Sequence, residues 1–220
     1  MRKIIACGSI KPELERLRKG HEDLEVQYLP QNLHRDPEKM TGRIQQALDK
    51  IAETFEKVIL GYGLCSNGVV GLKAPAHGLY IPRVHDCIAL YLGSRQAYYE
   101  IFSKHPGTYH LTTSWIRNRK DPLGLVEHEY TRRVGREMAE ETMQMEIKNY
   151  DYISFVNTNT DNAERFRDRA RQNAAHFNKQ FIEYNGSDQY FKKILFGPYE
   201  VSDFIYITPN EIVKQKEFLK

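Results

Sequence analysis

Apolar positions change their period along this chain, and each change marks an element. Ile4-Ile5-Ala6 is a short apolar run closed by Cys7. Such a run, bounded by a turn signal, predicts a strand buried on both faces. Gly8-Ser9-Ile10-Lys11 predicts a turn, and Pro12 suits the first turn of a helix. Residues 24–29 predict a second strand. Asp36-Pro37 signals a helix start, after which Met40, Ile44, Leu48, Ile51 and Phe55 recur at three- and four-residue spacing. That spacing lays one apolar stripe along a helix. Residues 58–60 and 78–84 predict the third and fourth strands. From Cys87, residues 88–92 are too apolar for a surface helix, and Tyr98, Tyr99 and Phe102 continue the helical segment to His105-Pro106-Gly107. Residues 108–115 predict a fifth strand.

The second half repeats the alternation. A long helix is predicted over residues 129–149, with Val134, Met138, Met143 and Met145 as a core-packing stripe. Residues 152–156 predict a strand, and residues 162–177 a helix with Phe166, Ala170, Ala174 and Phe177 on one face. Residues 181–184 predict another strand, and Ser187 caps a short helix ending near Gly197-Pro198. Residues 204–207 predict the last strand. Thr208-Pro209-Asn210-Glu211 has the form of a capping box opening a final helix. The whole pattern predicts an α/β, Rossmann-like fold with a mostly parallel sheet. The polar, Pro-containing stretch 118–122 suggests a boundary. Residues 1–117 would then form an N-terminal lobe, residues 118–220 a C-terminal α/β lobe, with a cleft between the two.

Composition narrows the class. The net charge of +3 is too small to argue for nucleic acid. Arginines gather between Arg165 and Arg171, but at helical spacing with Glu164 and Asp168, the signature of a solvated helix face. No run approaches the roughly 18 apolar residues of a membrane span, and the first residues carry no apolar signal core. A cytoplasmic location is expected, where thiols stay reduced. Three cysteines are an odd count, which excludes a complete disulfide framework and favours ligation or catalysis.

Those cysteines are the main candidate chemistry. In an open α/β sheet the carboxyl ends of the strands line one crevice, where ligands bind. Cys7, Cys65 and Cys87 each close a strand-like segment, so thiols far apart in sequence would meet there. Converging thiolates make a metal or cluster site, or a nucleophilic centre. The plain alternative is three small buried apolar residues. His85 lies two residues before Cys87 and would share its face, as a fourth metal ligand or as a catalytic proton carrier. A Cys3His set suits zinc, and three cysteines with an open position also suit an iron–sulfur cluster. Asp86 would cap a helix at Cys87, and Ser66 or Asn67 one after Cys65, where helix N-termini favour thiolate. Gly61, Gly63, Gly68 and Gly71 surround Cys65 and let a backbone approach a ligand. They form no dinucleotide fingerprint, because Ser66 stands where the third glycine belongs, and no Gly-Lys-Ser/Thr follows. Tyr62 and Gly63, with Arg83 and Arg95 as anion partners, are the candidate cofactor- or ligand-binding residues. Thr112-Thr113-Ser114-Trp115 and Asn157-Thr158-Asn159 are further candidates for the crevice.

Ala6-Cys7, the stretch Gly61-Tyr62-Gly63-Leu64-Cys65-Ser66-Asn67-Gly68, Pro82-Arg83-Val84-His85-Asp86-Cys87-Ile88, Leu92-Gly93-Ser94-Arg95, Gly107-Thr108-Tyr109 and Trp115-Ile116 together resemble the family called domain of unknown function 1638. The resemblance covers most of the chain, more loosely in the second half. It maps the family's motif residues onto Cys7, Cys65, His85 and Cys87. It further implies anaerobic bacterial or methanogenic hosts and a gene neighbourhood of corrinoid-dependent methyltransferases, hence methyl transfer or cofactor-related work. The first expectation is a metal-binding protein, zinc favoured over an iron–sulfur cluster, that activates a thiol for corrinoid-linked methyl transfer. With iron–sulfur the work would be electron transfer or cofactor activation. The second is a non-catalytic module that binds a small molecule for a corrinoid methyltransferase system. The third is thiol catalysis by Cys87.

Overall fold

The computed structural model describes residues 1–31, 33 and 36–219. In chain order, β1 (Arg2–Cys7) leads through a 3-10 turn (Gly8–Ile10) into α1 (Lys11–Leu17), then β2 (Leu24–Leu29), α2 (Pro37–Leu48), β3 (Lys57–Gly61) and β4 (Leu79–Pro82). Next come α3 (Cys87–Leu92), α4 (Arg95–Lys104), β5 (Thr108–Thr112), α5 (Thr113–Arg117) and α6 (Pro122–Leu125). A π-helical turn (Val126–Tyr130) precedes α7 (Thr131–Val134), α8 (Arg136–Glu146), β6 (Tyr152–Asn157), α9 (Ala163–His176), β7 (Gln180–Asn185), α10 (Gln189–Phe196) and β8 (Phe204–Ile207).

The chain divides into two compact units that are not consecutive halves. Residues 1–95 and 188–220 form the first, and residues 96–187 the second. The boundary suggested at residue 118 falls within the second unit. The first unit is built on a sheet of order β2-β1-β3-β4-β8. Four strands are parallel, and β8 pairs antiparallel with β4. The second unit holds a separate three-stranded parallel sheet, β5-β6-β7. The fold is therefore α/β with mostly parallel strands, as the alternation predicts.

Burial explains the strand sequences. Ile4, Ile5, Val58, Ile59 and Leu60 are completely covered, as apolar runs in a parallel sheet should be. Each such side chain contributes about 1.5–3 kcal/mol relative to exposure. Met40, Ile44 and Leu48 of α2 pack on this sheet, and Asp36 caps the helix by accepting from the Lys39 amide at 3.2 Å. In the second unit Leu111, Ile153 and Phe155 form the core with Phe166, Ala170 and Ala174 of α9.

Three local expectations are corrected. The fifth strand stops at Thr112, because the Thr112 hydroxyl caps α5 by accepting from the Trp115 amide at 3.4 Å, and Trp115 lies in that helix. The long helix expected over 129–149 is broken at Gly135, which takes φ +81°. Val134, Met138 and Met145 are more than half exposed there, and only Met143 is buried, with Ala139 and Ile147. Among the described residues no α-helix opens at Thr208, and the only helical turn beyond it is a short 3-10 turn (Gln215–Phe218). Asn210 takes φ +65°, and residues 210–213 pair instead with the chain at 71–74. A hydrophobic contact with the rest of the first unit thus overrides a local capping signal: Val213 is buried. None of the described helices is long and apolar enough to cross a membrane.

Candidate functional site

β1 connects to β2 on one side, and β3 lies on the other side of β1, so the direction of winding switches between β1 and β3. In open α/β sheets the crevice at the carboxyl ends beside such a switch is the usual ligand site. Cys7 is the last residue of β1. Cys65 lies four residues past β3, and Cys87 opens α3 five residues past β4. These are three adjacent strands. The chains beyond β3 and β4 stay joined, with Leu64 N–H donating to the Val84 carbonyl at 2.9 Å and Cys65 N–H to the His85 carbonyl at 3.0 Å.

Each cysteine has its own scaffold. The Cys7 sulfur caps the 3-10 turn, accepting from the Ser9 amide at 3.5 Å and the Ser9 hydroxyl at 3.2 Å. That turn is fastened to α3, because the Tyr91 hydroxyl donates to the Ser9 carbonyl while its ring packs edge-on against Phe191 at 5.3 Å. Cys87 is the first residue of α3, whose next five residues are all buried. Asp86 caps it, its Oδ1 accepting from the Ile88 amide at 2.8 Å. Cys65 begins no helix, contrary to the expectation of a cap at Ser66 or Asn67. Cys65, Ser66 and Asn67 take φ +43°, +56° and +66°, a run of three non-glycine residues in the left-handed region. Such backbone costs on the order of 1–2 kcal/mol per residue. The Gly68 amide closes the turn on the Cys65 carbonyl at 3.0 Å, and the Thr41 hydroxyl holds the Gly68 carbonyl at 2.9 Å.

Gly63 lies so close to the next segment that a Cβ there would stand 2.9 Å from both the Val84 carbonyl oxygen and its Cγ2. This close approach brings Cys65 beside the start of α3. The Cys65 sulfur is stabilised by backbone hydrogen bonds from Gly63 and Cys87.

The three thiols form one electrostatic group. Burial is the largest influence on each and pushes it up. Cys7 further raises Cys65, and Cys65 and Cys7 raise Cys87, because neighbouring thiolates repel; Asp86 adds to both. Burial and repulsion outweigh the helix terminus, so the expectation of preformed thiolates is corrected to protonated thiols at neutral pH. Tyr62 stands in the same group. It is only 3% exposed, and its hydroxyl has no hydrogen-bond partner of acceptable geometry although it faces the Cys7 sulfur. Burial first, then the neighbouring thiols, holds its pKa high. A buried hydroxyl without a partner costs about 1–3 kcal/mol.

The remaining predicted residues fall elsewhere. His85 presents its carbonyl to Cys65, but its ring is 67% exposed, with Nδ1 3.9 Å from Asp86 Oδ2; Asp86 raises its pKa. Arg83 is buried, and its guanidinium donates to the carbonyls of Val201 and Glu217, tying down the C-terminal segment rather than facing an anion. Arg95 opens α4, half-buried and near the Tyr190 hydroxyl. Residues 112–115 and 157–159 belong to the second unit. Among the described residues, no three His, Cys, Asp or Glu side chains are gathered as a single metal-holding group. Sequence reasoning placed Tyr62 beside the thiols but missed the left-handed turn. Only the density of glycines around Cys65 hinted at that turn.

A doubly wound α/β first unit with three thiols beside its switch point defines the class by fold and site. The chain belongs to the family described as protein of unknown function DUF1638, whose model matches residues 28–195. Cys65, His85 and Cys87 lie inside the matched stretch, and Cys7 lies ahead of it. No curated protein and no solved structure matches the chain.

Proposed function

We propose that Cys7, Cys65 and Cys87 bind one thiophilic metal centre at the carboxyl edge of the first sheet. The observation that carries this reading is their place at the carboxyl ends of three adjacent parallel strands, β1, β3 and β4, beside the switch point. The unpartnered Tyr62 hydroxyl supports it, since it is a buried donor aimed at the group. The strained turn at residues 65–67 supports it too, because strained backbone persists where a site requires it. Zinc is the first candidate, by ligand chemistry. Bound there, it would hold a substrate thiol as thiolate, the activation that a methyl acceptor needs. This suits the corrinoid-linked methyl transfer that the family resemblance suggests. His85 enters as proton carrier at the solvent edge, and Tyr62 as a buried hydroxyl beside the bound group, with Gly63 letting the two segments close on it.

An iron–sulfur cluster is the second reading. Three cysteines with an open position are a ligand set that such a cluster also accepts. The test is anaerobic loading with zinc, or with ferrous iron and sulfide, on the wild type and on Cys7→Ser, Cys65→Ser and Cys87→Ser. The proposal expects about one centre per chain and its loss in each variant. Metal content that survives all three substitutions overturns it.

A further inference from the structure

The arginine-rich helix α9 does not behave as a uniformly solvated face. Arg167 pairs with Glu183 at 2.7 Å, and Arg171 with Asp168 at 3.3 Å. Arg169 takes both nearby carboxylates, Asp121 at 3.0 Å and Glu127 at 2.8 Å. Arg165 has no carboxylate partner among the described residues. It lines a cleft of about 610 Å³ that lies wholly within the second unit, together with Arg117 and Arg119. Those two are likewise without carboxylate partners among the described residues. Arg117 lies over the Phe166 ring at 5.5 Å, and Arg119 reaches His128 at 3.5 Å.

The electrostatics of this cleft are one-sided. Its two carboxylates, Asp121 and Glu127, are already matched by Arg169, which leaves Arg117, Arg119 and Arg165 lining one space; Glu164 and Asp168 lie on the other side of Arg165, and Asp168 is paired with Arg171. Asn162 stands at the N-terminus of α9 and lines the same cleft, and its side chain places no cap on the first amides of that helix. Two of those amides are held by backbone carbonyls, Ala163 N–H by Thr160 and Arg165 N–H by Asn162, and Glu164 stands in the first turn, so the arginines and not the helix end carry the positive charge of the cleft. Two features position the cluster. Arg119 takes φ +57°, which turns the chain after α5, and Asp121 is buried as the cap of α6. Charges exposed singly are ordinary. Three unmatched guanidinium groups around a cleft of ligand size are the arrangement that recognises multiply charged oxyanions, because each offers a rigid fork of donors.

We infer that the cleft of Arg117, Arg119 and Arg165 binds a small molecule carrying a phosphate or diphosphate group. A lone carboxylate would satisfy one fork; a diphosphate can engage all three. This site is separate from the thiol group and does not depend on what that group binds.

The test uses the full chain and inorganic pyrophosphate as probe, followed by titration calorimetry. Saturable binding is expected, weakened roughly tenfold or more by Arg165→Gln or Arg119→Gln. Arg171→Gln, which removes a paired arginine outside the cleft, should leave it unchanged. Thermal melts check that the variants stay folded, and all three side chains are on the surface. The absence of binding at millimolar pyrophosphate overturns the inference. Equal weakening by all three variants overturns it too, because it would mean diffuse charge. Tighter binding of a single-stranded oligonucleotide than of pyrophosphate overturns the small-molecule class. Binding of citrate in place of pyrophosphate overturns the phosphate assignment.

Discussion

Two mostly parallel sheets in one chain end their parallel strands in different ways. At the carboxyl edge of the second sheet, polar groups are consumed locally. Thr112 caps α5, and Asn157 accepts from the Asn159 amide at 2.9 Å while donating to Glu183 at 3.2 Å. At the edge of the first sheet, three thiols repel one another when ionised, a hydroxyl lacks a partner, and three successive residues carry left-handed backbone. Beyond the second edge left-handed residues also occur, but singly and as asparagines, Asn159 at φ +53° and Asn162 at φ +61°, which tolerate that region best. Unfavourable terms like those of the first edge persist in folded proteins where a function requires them. The second unit has its own candidate site, but that site is made of exposed charge, which costs the fold little.

The comparison breaks most readily at Gly63. Gly63→Ala puts a methyl group 2.9 Å from the Val84 carbonyl and should cost about 1–3 kcal/mol in urea denaturation. A neutral substitution would mean that the close approach of the two segments is not required. Alkali provides the next test. The folded-state thiols lie above their usual value of 9.0, so the unfolded chain releases its thiol protons first as pH rises. Stability is then complete below about pH 9 and declines as pH climbs toward the folded-state values. Denaturation followed from pH 7 to 10.5 should show that fall, and the Cys87→Ser variant a shallower one.

The smaller effects concern the caps and the strain. Thr112→Ala removes an ordinary cap and should cost about 1 kcal/mol. Ser66→Gly acts in the opposite direction. Ser66 is exposed at φ +56°, and glycine relieves about 1–2 kcal/mol of left-handed strain while adding about 0.5–1 kcal/mol of unfolded-state entropy. A net gain of about 0.5–1 kcal/mol is expected, read as a raised Tm. If Ser66→Gly destabilises instead, the turn is held by contacts at the serine and is not strained.

The sequence pattern was most legible where burial is complete. Ile4-Ile5-Ala6 and residues 58–60 lie inside β1 and β3, because an apolar run closed by a turn signal has one solution in a buried parallel strand; the bounds of β2 and β8 also match the expectation, although both strands are only partly buried. It misled where tertiary contacts override local signals. The capping box at Thr208 is cancelled by pairing with the chain at 71–74, and the methionine stripe is interrupted at Gly135. The candidate site was legible as three cysteines at strand ends, since that placement follows from topology. The roles of Arg83 and of the turn at Cys65 were not, because a buried guanidinium that binds carbonyls and a left-handed run leave no periodicity to read.

The most direct test of the central claim is the metal content of protein purified without oxygen, measured by mass spectrometry with an absorption spectrum on the same sample. About one metal centre per chain is expected, as colourless zinc or as iron with sulfide and a brown spectrum. Protein that carries no metal, takes up none on loading and retains three titratable thiols would contradict it.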